Sequence, residues 1–264
     1  MGIPIPVDDA DDPRLADFVG LTDPELRRRV EVDANFFIAE SPHVVRRLVQ
    51  SGRRVRRVLV TPLQHDALAD VLDSLDAPVF VAPIEVLRRV VGFDLHRGAV
   101  ASADRWQLPE VNAVLRDARR VVVCERVNDH ENLGVLFRSA AALGVDAILL
   151  DRECADPLYR RSVRVSIGTV LTLPWTRIDS LTDLRDCGFQ CIALTPSEVA
   201  RDIGDVEWPP RAALLIGAEG PGLSDAWLDA ADQRIRIPMH SDVDSLNLAS
   251  AAAIACYLSR PRPA

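Results

Sequence analysis

The chain has 264 residues and a hydrophobic share of 48%, enough for one large domain or two ordinary ones with real cores. It contains no apolar run of about 18 residues, the length of a membrane helix, and the opening MGIPIPVDDADDPR lacks the basic and apolar regions of a secretory signal. No membrane partner and a cytoplasmic location are therefore expected. A net charge of −8 argues against a chain that is basic throughout, as many phosphate binders are.

Charge is nevertheless unevenly placed. All 31 basic residues are arginine, and they cluster at Arg27–Arg29, at Arg46 and Arg47, from Arg53 to Arg57, and from Arg160 to Arg164. Because salt screens charges more than about 10 Å apart, a locally positive face can bind phosphate on an acidic protein. The five cysteines, Cys124, Cys154, Cys187, Cys191 and Cys256, are scattered and odd in number, and no histidine accompanies the Cys187/Cys191 pair. Buried thiols are expected, and no metal.

Taken in chain order, residues 1–20 are acidic and contain proline, and read as a flexible arm. From residue 21 to 103 the pattern alternates: strand NFFIAES, helix SPHVVRRLVQSG, strand VRRVLVTP, helix LQHDALADVLDSL, strand APVFVAP, helix IEVLRRVVG and strand RGAVASA. Ser41 is expected to cap the first helix, with Pro42 in its first turn. Residues 104–118 read as a linker.

A second alternating series fills 119–264, with Val/Ile/Leu-rich strands such as VVVC, AILL and AALLIG between helices, among them PLYRRSVRVSIG. Continuous apolar strands of this kind predict a parallel sheet covered on both faces. Ligands of such sheets bind at the carboxyl ends of the strands, and three strand-exit loops there are chemically unusual. The first, NDHENLGVLFR, holds Asn132, Gly134 and Arg138; Asn132 could cap a helix, and an arginine on so apolar a helix needs an anionic partner or a functional opening. The second, IGAEGPGLSDAWL, has glycines that admit close approach of backbone, a potential hydrogen-bonding acid in Glu219, and Ser224 as a cap. It has neither a Walker ending nor a dinucleotide fingerprint. The third, IRIPMHSDVDSLNLASAAAI, brings Ser245, Leu246 and Asn247 to the start of an alanine-rich helix, where the polar pair suits a cap, a ligand site, or both.

In this order the three segments resemble the SpoU (TrmH-type) family of RNA ribose 2′-O-methyltransferases within the SPOUT superfamily, over roughly residues 119–260. The N-terminal series is similar, more loosely, to the L30e-like RNA-binding domain. The proline usual in the first motif is replaced by His130. The resemblance implies an α/β fold: a SPOUT methyltransferase domain with a parallel sheet and a deep trefoil knot, preceded by a small L30e-like domain. It implies S-adenosylmethionine as cofactor, held near Leu194, Thr195, Gly217, Ile237 and Leu246. Arg138 would be the catalytic group, with Asn132, Glu219, Ser245 and Asn247 around it; free arginine is a poor base, so base and positioner both stay open. RNA is the implied partner, ribosomal favoured over transfer RNA, with Arg46, Arg47, Arg53 and Arg54 as RNA contacts and a homodimer through the knot domain. A non-catalytic RNA-binding or assembly protein on the same fold is the competing expectation.

Overall fold

The computed structural model describes residues 4–22, 34–95, 97–240 and 245–260; the arginines at 27–29 lie outside them. The chain divides into two compact units. One comprises residues 1–106 with 158–172, the other 107–157 with 173–264.

The first unit is built on a five-stranded mixed sheet. β1 (Ile5–Pro6), β2 (Phe36–Glu40), β3 (Val55–Val60), β4 (Val79–Val81) and β5 (Ala99–Asp104) lie in the order β1-β4-β3-β5-β2. β1 and β3 flank β4 in parallel, while β5 runs antiparallel to β3 and β2. Every residue of β2 is buried, and the Pro42–Gln50 helix packs through Val44, Val45 and Leu48. Ser41 does not cap that helix: its φ is 93° and its side chain makes no capping bond. Its N–H instead donates to Ala99 O at 2.9 Å, leaving Pro42 to set the entry.

The flexible arm expected over residues 1–20 is corrected by the structure for residues 4–20. Ile5 and Pro6 pair with Phe80 and Val81, and Leu15 and Phe18 are fully buried in the core. Asp17, buried itself, receives Arg57 at 2.7 Å, Arg56 at 3.1 Å and the Ser102 hydroxyl at 2.7 Å. Acidic composition suggested solvation, but the spaced apolar residues anchor the segment and partner arginines satisfy its buried acid. The PLYRRSVRVSIG helix is likewise reassigned. It forms as Arg160–Val165 but belongs to the first unit, where the buried Arg160 donates to Glu40 at 2.7 Å and Arg47 donates to Ile167 O at 2.7 Å.

The second unit carries seven parallel strands: β6 (Arg120–Glu125), β7 (Ala147–Leu150), β8 (Trp175–Arg177), β9 (Gln190–Leu194), β10 (Arg201–Asp202), β11 (Ala212–Gly217) and β12 (Gln233–Arg236), in the order β10-β12-β9-β11-β6-β7-β8. The predicted parallel sheet is present, with β6 and β11 central and buried. Residues 104–118 are not a linker: Asp104 ends β5, and Leu115 and Ala118 join the second core. Part of the path on which the expected knot depends, residues 241–244, lies outside the described residues. Among the described residues no helix is long and apolar enough to cross a membrane, and no cluster of metal-ligating side chains occurs.

Four of the five thiols are buried, and Cys187 is partly exposed. Burial pushes Cys154 and Cys256 up to about 12 and Cys191 up to about 11, and raises Cys124 well above the ordinary thiol range. Alkylation with iodoacetamide at mildly alkaline pH is therefore expected to label Cys187 alone in the folded protein and all five thiols after denaturation, as read by intact-mass spectrometry. Rapid native labelling at a second site would show that one of these cores opens readily.

Candidate active site

Three loops meet at the carboxyl edge of the parallel sheet, each placed by a cap or a tight turn. β6 ends in Glu125, and four residues later Asp129 caps the His130–Ala142 helix by accepting from Asn132 N at 2.7 Å. The cap is thus Asp129 and not Asn132, whose side-chain amide is left available for the site.

β11 ends in Gly217, where the chain doubles back: Ala218 pairs with Gly222, and Gly222 N donates to Ala218 O at 3.0 Å. Ser224 then caps the Asp225–Ala230 helix as expected, accepting from Trp227 N. Its own N–H and hydroxyl donate to the buried Glu125 carboxylate at 2.7 and 2.6 Å. Glu125 therefore ties the first exit loop to the second. Sequence reasoning missed it; the available signal was an acid closing an otherwise apolar strand, which needs internal donors if it is buried.

The third segment supplies Asn247, the N-cap of the Leu248–Leu258 helix. Its Oδ1 accepts from Ala249 N at 3.0 Å and Ser250 N at 3.3 Å. Its Nδ2 donates to Asn132 Oδ1 at 2.8 Å and to Glu219 Oε1 at 3.0 Å. One amide both starts a helix and joins side chains from all three loops, so cap and site coincide. Ser245 makes no cap here; it is exposed and faces the cavity.

That cavity, of about 300 Å³, is lined by Leu194, Thr195, Gly217, Ile237 and Leu246, the five residues expected to hold a cofactor. Glu219, Ser245 and Asn247 complete its polar side. Its size falls at the lower end of the ~300–1,000 Å³ usual for ligand pockets. Apolar walls with a glycine edge and few polar groups fit a flat heterocycle joined to a polar tail. A larger open cleft of about 1120 Å³, bordered by Arg119, Arg120 and Arg211, lies at the amino ends of β6 and β11, the wrong edge for a ligand of a parallel sheet.

Arg138 stands apart from this convergence. It is exposed on the His130–Ala142 helix and is not among the residues lining the cavity. Six helical residues place it about 9 Å along the axis and about 120° around it from Asn132, so the two do not share one helix face. Of the arginines expected to contact RNA, Arg46 is paired with Asp70 and Arg47 is held by Ile167 O. Arg53 stacks on Trp106 at 3.8 Å. The Arg54 side chain is 86% exposed, with Asp104 at 3.4 Å.

A parallel sheet whose strand-exit loops wall a small apolar pocket, rimmed by amide, carboxylate and hydroxyl groups, defines an α/β enzyme that binds a heterocyclic cofactor. The chain belongs to the SpoU rRNA Methylase family, whose sequence profile matches residues 119–257. It is 44% identical over 257 residues to an uncharacterized tRNA/rRNA methyltransferase of Mycobacterium tuberculosis, covering 94% of this chain and 89% of that relative. Among solved structures it resembles the S-adenosylmethionine-bound rRNA methyltransferase of Sinorhizobium meliloti, with a TM-score of 0.82, 24% identity and 97% of each chain covered. It also resembles an RNA 2′-O ribose methyltransferase, with a TM-score of 0.76, 24% identity, and 97% of this chain and 98% of that one covered.

Proposed function

We propose that this methyltransferase transfers a methyl group from S-adenosylmethionine to a ribose 2′-hydroxyl of structured RNA, ribosomal rather than transfer RNA. The observation that carries this reading is the Asn247 junction: one amide joins Asn132 and Glu219 at the rim of the cavity lined by the five expected cofactor residues.

Leu194, Ile237 and Leu246 would cover the cofactor's apolar surface, with Gly217 at its edge and Thr195 among the polar contacts. Bound there, S-adenosylmethionine supplies a methyl carbon on a sulfonium leaving group. The residues would then have to hold the 2′-oxygen in line with that carbon, so that an oxygen–carbon bond could replace the carbon–sulfur bond while the hydroxyl proton passes to solvent water. Placement of this kind can supply about 7–11 kcal/mol, more than the 10²–10⁴-fold typical of a general base. Ser245, Glu219 and Asn132 suit hydrogen bonding to the ribose. Arg138, exposed and outside the cavity, suits the RNA side, where its fork can grip a phosphate in two contacts. Its planar fork of donors suits placing the RNA rather than taking a proton.

The N-terminal unit, with Arg53 and Arg54 the more available arginines, would hold the RNA as an L30e-like domain does. The last helix leaves Ile254, Tyr257 and Leu258 exposed, which supports a homodimer through the methyltransferase domain, together with the knot expected of the fold.

The test is nucleoside mass spectrometry after incubation of the protein with isotopically methyl-labelled S-adenosylmethionine and separate ribosomal and transfer RNA pools. Label in a 2′-O-methylnucleoside from ribosomal RNA is expected. Label confined to a methylated base would overturn the ribose reading, and label confined to transfer RNA the ribosomal one.

A further inference from the structure

Immediately after β6 the chain makes a turn that costs it energy. Arg126 has φ 55°, in the left-handed region, which is unfavourable for a residue with a Cβ and open to glycine. Three contacts to the loop after β7 impose it. Arg126 N donates to Asp151 Oδ2 at 2.9 Å, Val127 N to Cys154 Sγ at 3.2 Å, and Ala155 N to Val127 O at 2.9 Å. Strain held in place by its surroundings is a mark of functional positions. A glycine would make the same turn more easily, so the side chain is what needs explaining.

That side chain is not a solvated tail. It is 34% exposed, and a terminal nitrogen stands 3.7 Å from Glu125 Oε1. Its Nε is buried without a hydrogen-bond partner. The nearby carboxylate, whose oxygens accept from Ser224 at 2.6–2.7 Å, stands too far from the guanidinium for a hydrogen bond. A guanidinium has five N–H donors in a fixed fork, and a buried donor left unsatisfied is costly. The part of the guanidinium that remains accessible, its terminal N–H groups, can take an anion with two acceptor oxygens on the open side. Through Glu125 and Ser224 this arginine is also tied to the 217–224 loop that walls the cavity, at the edge of the sheet where substrate must arrive.

We infer that Arg126 binds an RNA phosphodiester at the mouth of the active site, by a forked contact. This rests on the RNA-methylating reading above. Arg126 is a binding residue, with no part in the bond changes.

The test compares wild type with Arg126→Gly and Arg126→Lys by fluorescence titration of a labelled stem–loop RNA of mixed sequence over a range of KCl concentrations, alongside thermal unfolding. Arg126→Gly is expected to weaken RNA binding about tenfold. The slope of log affinity against log salt should become less negative by about 0.7–0.9, the release from one phosphate. Its melting temperature should be equal or higher, because the left-handed strain is gone. Arg126→Lys should keep most of the salt slope but recover the affinity only in part. An unchanged slope and affinity in Arg126→Gly overturns the inference, and so does a lowered melting temperature with the wild-type slope, which would make the guanidinium a purely structural group. Wild-type transfer of methyl groups to RNA is scored separately: its absence would remove the functional reading, whereas a wild-type slope in Arg126→Gly with methyl transfer intact removes only the role of Arg126.

Discussion

Arg138→Ala is expected to abolish methyl transfer, by at least about 10²–10⁴-fold in single-turnover rate, while S-adenosylmethionine binding measured by calorimetry stays within about twofold of wild type. The separation follows from position. The cavity is walled by residues of four other segments, 194–196, 216–222, 237–239 and 245–251, and Arg138 is exposed on a different helix. Removing it takes away no residue of the cavity wall. Substituting an exposed helical arginine by alanine should change stability by no more than about 0.5 kcal/mol, so loss of activity would not be loss of fold. Arg138→Lys refines the result, because lysine keeps the charge without the planar fork. Rates near those of alanine would mean that forked placement matters, whereas rates near wild type would mean that charge alone suffices. Wild-type turnover in Arg138→Ala would end any role for this residue in the reaction.

Gly217→Ala should act on the opposite half of the site, with S-adenosylmethionine affinity falling more than tenfold and the melting temperature falling with it. A Cβ on Gly217 would lie 2.1 Å from Gly222 C, 2.2 Å from Leu223 N and 2.3 Å from Gly222 O. These are backbone atoms of the loop that folds over the strand end, so no side-chain rotation can make room. Overpacking of this kind costs about 1–3 kcal/mol, and here it is relieved only by opening the loop that carries Glu219 and walls the cavity. Gly220 is the internal comparison: its φ is 85°, but a Cβ there meets nothing within 4 Å, so Gly220→Ala should cost only backbone strain. Equal cofactor affinities for the two variants would show that the close approach at Gly217 does not shape the pocket.

These predictions differ because the two residues were legible for different reasons. Gly217 closes a buried run, AALLIG, just where a strand must hand over to a loop, and its need for close approach is local. The role expected of Arg138 came only with the family resemblance; in the structure six helical residues rotate it away from Asn132, and it is exposed and outside the cavity lining. Asn247 was readable as a cap because capping is decided within four residues. That its other amide atom reaches Asn132 and Glu219, 115 and 28 positions away, is a property of the assembled sheet.

By itself, then, the sequence determined what depends on near neighbours and on repeated pattern: apolar strands between helices, the parallel sheet of the second unit, the turn glycines, and the caps at Ser224 and Asn247. Tertiary structure alone decided the rest. It drew Leu15 and Phe18 of an acidic segment into a core, moved residues 158–172 into the first unit through Glu40 and Arg160, exchanged Asn132 for Asp129 as the cap, and bound Glu125 to Ser224. The physical reason is common to these cases. A charged or polar side chain carries no mark of whether it will be solvated or satisfied internally, because that depends on which donors and acceptors the fold brings within about 3 Å of it.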